Sequence, residues 1–182
     1  MLRVVIFVVV SILFVCISRK FLFRPHSHGF WRFLAWEFIL ALILFNAMQW
    51  FQDPFSSQQL ISWFLLFISI FLAAHGLYLL KVVGKPNQNR SDDGLFAFEK
   101  TSSLVCVGVY KYIRHPLYAS LLFFTWGAFF KHLSGPGLLL AIFASLCLFF
   151  TAKNDESECL EHFGKTYQIY MQGTKRFVPF LF

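Results

Sequence analysis

Two polar clusters interrupt an otherwise apolar chain. The first is YKYIRHPLY, Tyr110 to Tyr118, where Arg114, His115 and Pro116 sit together at the start of a long apolar run. A charged pair at a membrane edge can be an anchor and nothing more. Here it is flanked by tyrosines, which raises the question of chemistry. The second cluster is the tail from Lys153, KNDESECLEHFGKTYQIYMQGTKRFVPFLF. On a helix, Glu156, Leu160, Phe163 and Tyr167 fall within roughly 60° of one another, and Glu158 and Glu161 point to the opposite side. Glu156 is therefore the carboxylate on the protein-facing stripe, with Gly164 a candidate break before Tyr167. A carboxylate drawn into a membrane-protein interior needs a cation, from the protein or from a ligand, or it takes up a proton. Arg114 and His115 are available. The alternative is an exposed acidic turn favoured by a helix N-terminus.

Other polar residues are isolated. Glu37 and His75 each lie about five residues inside the ends of apolar runs, at a common depth of roughly 8 Å. Ionisable groups within a span are functional candidates, and a structural Glu37–His75 hydrogen bond is the other reading. Asn46 reads as a helix-packing contact. His26 and His28 have ligand spacing but no acidic or cysteine neighbour in sequence, which points to a surface loop and no metal. Cys16, Cys106, Cys147 and Cys159 lack C-x-x-C spacing, so neither disulfides nor a zinc site is expected.

The elements that must position these groups are membrane helices. The chain of 182 residues is 58% hydrophobic, contains 26 Phe and is only 14% charged, against about 25% charged in soluble domains. Apolar runs at about 2–18, 32–51, 60–80, 116–133 and 136–152 approach the roughly 20 residues that cross a bilayer. The last two, joined by SGPG, read as a tight hairpin. The first lacks a small-x-small cleavage site and runs into Arg19-Lys20, as a span does and a signal peptide does not. Fourteen of the 16 Lys and Arg, including Arg32, Lys111, Arg114 and Arg176, fall in the first loop, the third loop or the tail; Arg3 and Lys131 do not. The positive-inside rule then places those loops and the tail in the cytoplasm and the N-terminus outside. The net charge of +7 reflects topology, not nucleic-acid binding. Residues 104–114 read as a segment on the cytoplasmic membrane surface, and Pro116 as the first residue of the fourth span. The expected architecture is all-α: one unit over 1–182, about five transmembrane helices, and a cytoplasmic C-terminal helix.

GVYKYIRHPLY from Gly108, then DESECLEHFGKTYQIY and TKRFVP, resembles in order the isoprenylcysteine carboxyl methyltransferase family and its wider superfamily with phospholipid methyltransferases. The likeness covers roughly 100–180. It implies an S-adenosylmethionine pocket capped by the tail, with binding positions at Gly108, Tyr110, Arg114, His115, Pro116, Tyr118, Asp155 and Glu156. It further suggests Tyr167 as an aromatic wall and Arg176 as a catalytic-site arginine alongside Glu156 and Arg114. Asp155 stands where the family usually has Glu.

On that resemblance, Glu156 would take the donor's amino group and Arg114 or His115 its carboxylate. Tyr110, Tyr118 and Tyr167 would face the sulfonium or adenine. No metal is needed, because the sulfonium is already activated. The acceptor would be lipophilic: a prenylated cysteine carboxylate, a phospholipid amine or a hydrophobic thiol. Only an amine needs deprotonation, for which Glu37 or His75 would serve on the substrate side. The competing hypothesis is a small non-enzymatic membrane protein, a transporter-like module or scaffold, motivated by Glu37, His75 and Asn46.

Overall fold

The structure, a computed structural model, describes residues 1–84 and 103–179. Six helices follow one another: α1 (Leu2–Ser18), α2 (His28–Phe45), α3 (Ser57–Val82), α4 (Pro116–Phe129), α5 (Gly135–Phe163) and α6 (Lys165–Gly173). Among the described residues there is no strand, only an isolated parallel bridge between Ile113 and Lys175. Most of the expected third loop, with Lys85, Arg90 and Lys100, lies outside the described residues. The protein is an all-α, polytopic membrane protein. Helices α2, α3 and α5 are long and apolar enough to cross a bilayer, while α1 and α4 are apolar but shorter, at 17 and 14 residues.

The helix ends differ from the hydropathy boundaries for local reasons. Helix α2 starts four residues before the expected 32 because Ser27 caps it, its Oγ accepting from the Phe30 N–H at 3.3 Å. It stops at Phe45, where the fully buried Asn46 turns its amide to the Ala128 carbonyl at 2.8 Å. Asn46 is thus the packing contact the sequence suggested. Helix α4 ends at Phe129, short of 133, and the chain folds Lys131 inward. Its ammonium donates to Gln59 Oε1 at 2.9 Å and lies 3.2 Å from the centre of the Trp63 ring. Helix α5 runs well past the expected 152. Its 29 residues span about 43 Å at about 1.5 Å each, more than the roughly 30 Å hydrocarbon core. The part from Lys153 onward therefore projects beyond the membrane and carries the acidic cluster.

Packing follows membrane rules, with small residues allowing close approach and polar side chains bonding across helices. Helices α2 and α5 meet through Ala35, Cys147 and Leu148. Helices α3 and α4 meet where the Ser62 hydroxyl donates to the Gly127 carbonyl at 2.7 Å. A third cluster, Leu72, Ile113, Tyr118, Ala119, Ala152 and Phe177, lies beneath the polar residues of α4 and α5 and anchors them. Helix α1 packs on α2, with Phe14 against Trp36 at 5.3 Å.

Candidate active site

Pro116 occupies the first turn of α4 and His115 is its N-cap, as the residue order predicts. Ahead of them, Gly108–Lys111 forms a 3₁₀ turn. Gly108 has φ +59°, and a Cβ there would lie 2.7 Å from Leu79 Cδ1 and 2.8 Å from His75 Nε2. Both the positive φ and the close approach to α3 demand glycine. Beyond α6, the chain returns as a strap alongside 112–115. Arg114 N–H donates to the Lys175 carbonyl at 2.8 Å, His115 N–H to Arg176 at 3.2 Å, and Lys175 N–H to Tyr112 at 3.0 Å.

That return brings two arginines onto Glu156. Arg114 Nε donates to Oε1 at 2.9 Å; Arg176 donates from Nε to Oε1 at 3.1 Å and from Nη2 to Oε2 at 2.6 Å. Arg114 Nη1 also donates to the carbonyls of Met171, at 3.2 Å, and Thr174. Burial alone would raise the Glu156 pKa. Bonds and charges from His115, Arg176 and Arg114 outweigh it and hold the carboxyl well below the usual range. Arg114, Arg176 and Glu156 form a closed ionic knot that ties the strap to α5.

His115 sits between this knot and a second carboxylate. Its Nδ1 is 3.4 Å from Asp155 Oδ2, and its Nε2 is 3.4 Å from Glu156 Oε1 without hydrogen-bond alignment. Its ring stacks on Tyr118 at 5.4 Å. Burial pulls the imidazole pKa down, but Asp155 and Glu156 together raise it above 6.5. Asp155 is half-buried, and the loss of solvent would raise its pKa, yet His115, His28 and Tyr118 bring it below the ordinary value.

The helical phase misplaced one acid. Glu161 is exposed, as expected, and so is Leu160. Glu158, however, does not face away: it reaches the N-terminus of α2. His28 Nδ1 lies 2.6 Å from Glu158 Oε2, and the His28 backbone N–H donates to Oε1 at 3.3 Å. His28 is therefore not a surface-loop residue without acidic neighbours; it is 1% exposed. One ligand atom each from His28, Asp155 and Glu158 lies within 4.8 Å of the others, and a histidine with two carboxylates is also a zinc-type ligand set. Chain folding supplied a partner that local sequence did not contain.

Between α4, the end of α5 and α6 opens a narrow cleft of about 110 Å³. Arg114, His115, Asp155 and Glu158 give it charge, and Tyr110, Tyr118, Phe163, Tyr167 and Tyr170 give it aromatic walls. Tyr170 OH donates to the Tyr110 carbonyl at 2.6 Å, closing α6 over the 3₁₀ turn. Burial first, then nearby carboxylates, keep the Tyr167 phenol far above its ordinary pKa, and burial does the same for Tyr170. Both stay protonated and serve as walls, and Tyr170 is also a donor.

The charged and aromatic groups of the cleft thus converge around the start of α4, the projecting end of α5 and α6. A family model described as phospholipid methyltransferase matches residues 57–167, from the start of α3 to Tyr167. The chain belongs to the phospholipid methyltransferase family. Comparisons with curated proteins and with solved structures return no match. For a phospholipid methyltransferase family member, the match implies a membrane methyltransferase acting on lipid-type substrates. It begins earlier than the motif region near 100 and ends before the strap that carries Arg176.

Of the expected site residues, Tyr110, Arg114, His115, Pro116, Tyr118, Asp155 and Tyr167 line one cleft. Glu156 and Arg176 stand behind Arg114 in the knot, and Gly108 is pressed against α3. Glu37 and His75 are not paired with each other. Glu37 accepts from the Ser11 hydroxyl at 2.6 Å, whereas His75 stacks on Phe71 at 5.7 Å beside Gly108. Helix α2 turns its acid to α1, and α3 turns its histidine to the 3₁₀ turn. Sequence reasoning missed Glu158, His28 and Tyr170 as members of this region. Tyr170 was signalled by its three-residue spacing from Tyr167.

Proposed function

We propose that this protein transfers a methyl group from S-adenosylmethionine to a lipophilic acceptor held in the membrane. The observation that carries the reading is the cleft itself: four tyrosines and two carboxylates, all but Tyr170 within the family-matched residues, face one space. The residues fit the donor's chemistry. Asp155 and Glu158 suit its ammonium, protonated tyrosines suit its adenine and sulfonium faces, and His115 or Arg114 suits its carboxylate. When bound, the donor supplies an already activated methyl group on a positive sulfur.

The chain's own contribution is to orient and to exclude water. Tyr110 and Tyr118 would hold one wall and Tyr167 and Tyr170 the other. His115, its pKa raised by the two carboxylates, would help to keep Asp155 ionised. Glu156 is assigned to the knot, where it fixes Arg114 and the Arg176 strap; this replaces the simpler idea that Glu156 itself receives the ammonium. The acceptor class spans an isoprenylcysteine-like carboxylate, a phospholipid amine and a hydrophobic thiol. By the distribution of basic residues, the cleft and tail face the cytoplasm and the N-terminus lies outside.

Calorimetry with S-adenosylhomocysteine on the purified chain in detergent tests the reading. Saturable one-to-one binding is the expected result, and absence of binding at millimolar ligand refutes it. Labelled-donor assays with membrane extracts then identify the acceptor.

A further inference from the structure

Both arginines nearest the cleft direct bonds to Glu156. The two cleft carboxylates, Asp155 and Glu158, face histidines. Glu158 is the more exposed, its side chain 39% accessible, and a glutamate in that setting ordinarily samples several rotamers. Here it is gripped at both oxygens by one residue, His28, through a ring nitrogen at 2.6 Å and a backbone N–H at 3.3 Å.

His28 is itself immobilised. It is the first residue of α2 and 1% exposed, with the Phe21 ring 6.2 Å away, centre to centre. The following Gly29 lies so close to Phe21 that an added Cβ would sit 2.6 Å from its ring. The first N–H groups of a helix lack intrahelical partners and favour a carboxylate. The grip therefore combines a side-chain bond with a helix terminus.

We infer that His28 is a positioning residue that holds the Glu158 carboxylate at the cleft rim, making it and Asp155 a paired-anion subsite for the ammonium of the donor. The inference rests on the donor reading above. The approach of His28, Asp155 and Glu158 to within 4.8 Å lets one small cationic group touch both carboxylates. His28 lies outside the family-matched residues 57–167, so this chain recruits its N-terminal half to finish the site.

The test is S-adenosylhomocysteine affinity by calorimetry, in chelator-containing buffer, for the full chain and for His28→Ala, His28→Asn, Glu158→Gln and the His28→Ala/Glu158→Gln double variant. His28→Ala and Glu158→Gln should each weaken binding about tenfold, equivalent to about 1.4 kcal/mol. The double variant should lose little more than either single one, since the two act as a unit. His28→Asn keeps an N–H donor and should recover affinity to within about threefold of wild type, by the hydrogen-bond logic of a retained donor. Glu158→Gln, at a partly exposed position of α5, reports even if His28→Ala misfolds. Strictly additive losses, or a folded His28→Ala within about twofold of wild type, well under the tenfold of one charge-assisted bond, overturn the inference. Failure of the wild type to bind overturns the donor reading instead.

Discussion

Replacing Glu156 by glutamine leaves size and shape almost intact and removes the charge on which the knot depends. Three hydrogen bonds from two arginines reach this carboxylate, at 2.9, 3.1 and 2.6 Å. Glutamine offers one carbonyl oxygen and puts an N–H₂ group where the second acceptor was, facing a guanidinium. Breaking a buried ion pair costs about 3–5 kcal/mol. Because the Arg176 side chain is 20% exposed, we discount this to about 2–3 kcal/mol for the strap. Opening of a local segment scales with that energy, so the open population should rise about 30- to 140-fold. Trypsin provides the assay, since Lys175 and Arg176 are both in the strap, and cleavage of a transiently opened segment tracks its population when reclosing is fast. Glu156→Gln should be cut there faster by about that factor, with little change at Lys153. Cleavage within about threefold of wild type would show that the strap is held by its backbone bridge alone; a loss below about 0.7 kcal/mol is too small for a buried charge.

Two further outcomes follow from the same region. Glu156, depressed in the fold, contributes stability that is complete above about 4.5, its unshifted value, and is lost as pH falls through the folded pKa. His115, raised in the fold, contributes stability that is complete below about 6.5 and is lost as pH rises through the raised value. Thermal unfolding in detergent should therefore be most resistant at mildly acidic pH, and His115→Asn should flatten the alkaline limb. Gly108→Ala should lower the unfolding midpoint, with about 1–2 kcal/mol lost to the left-handed backbone and more to contacts at 2.7 and 2.8 Å; an unchanged midpoint contradicts the close-approach account.

What the sequence disclosed and what it hid divide along physical lines. Apolar run lengths located the helices because lipid imposes a length and forbids unpaired backbone. Pro116 marked a helix start by its own stereochemistry. Glu156 emerged from helical phase because its side of α5 meets the Arg114–His115 segment and the Arg176 strap. Glu158 was placed wrongly because a helical wheel assumes one buried side, whereas α5 touches α2 on one face and α4 on another. The residue that grips Glu158 lies 130 positions away, and no local spacing encodes such a pairing. Glu37 and His75 illustrate the complementary failure: position along a span can be counted, but azimuth cannot, and azimuth decides contact.

The bridge between Ile113 and Lys175 gives the protein a chronology. Synthesis runs from N- to C-terminus, so Arg114 and Glu156 are both made before the strap, and the anionic oxygens of Glu156 wait for Arg176. The segment between the bridged residues contains all of α4, α5 and α6. Until residue 176 has been synthesised and turned back, the site is a half-built enclosure with one arginine on its carboxylate. The strap is thus the clasp of the site, and the pocket closes only after α4, α5 and α6 have all been made.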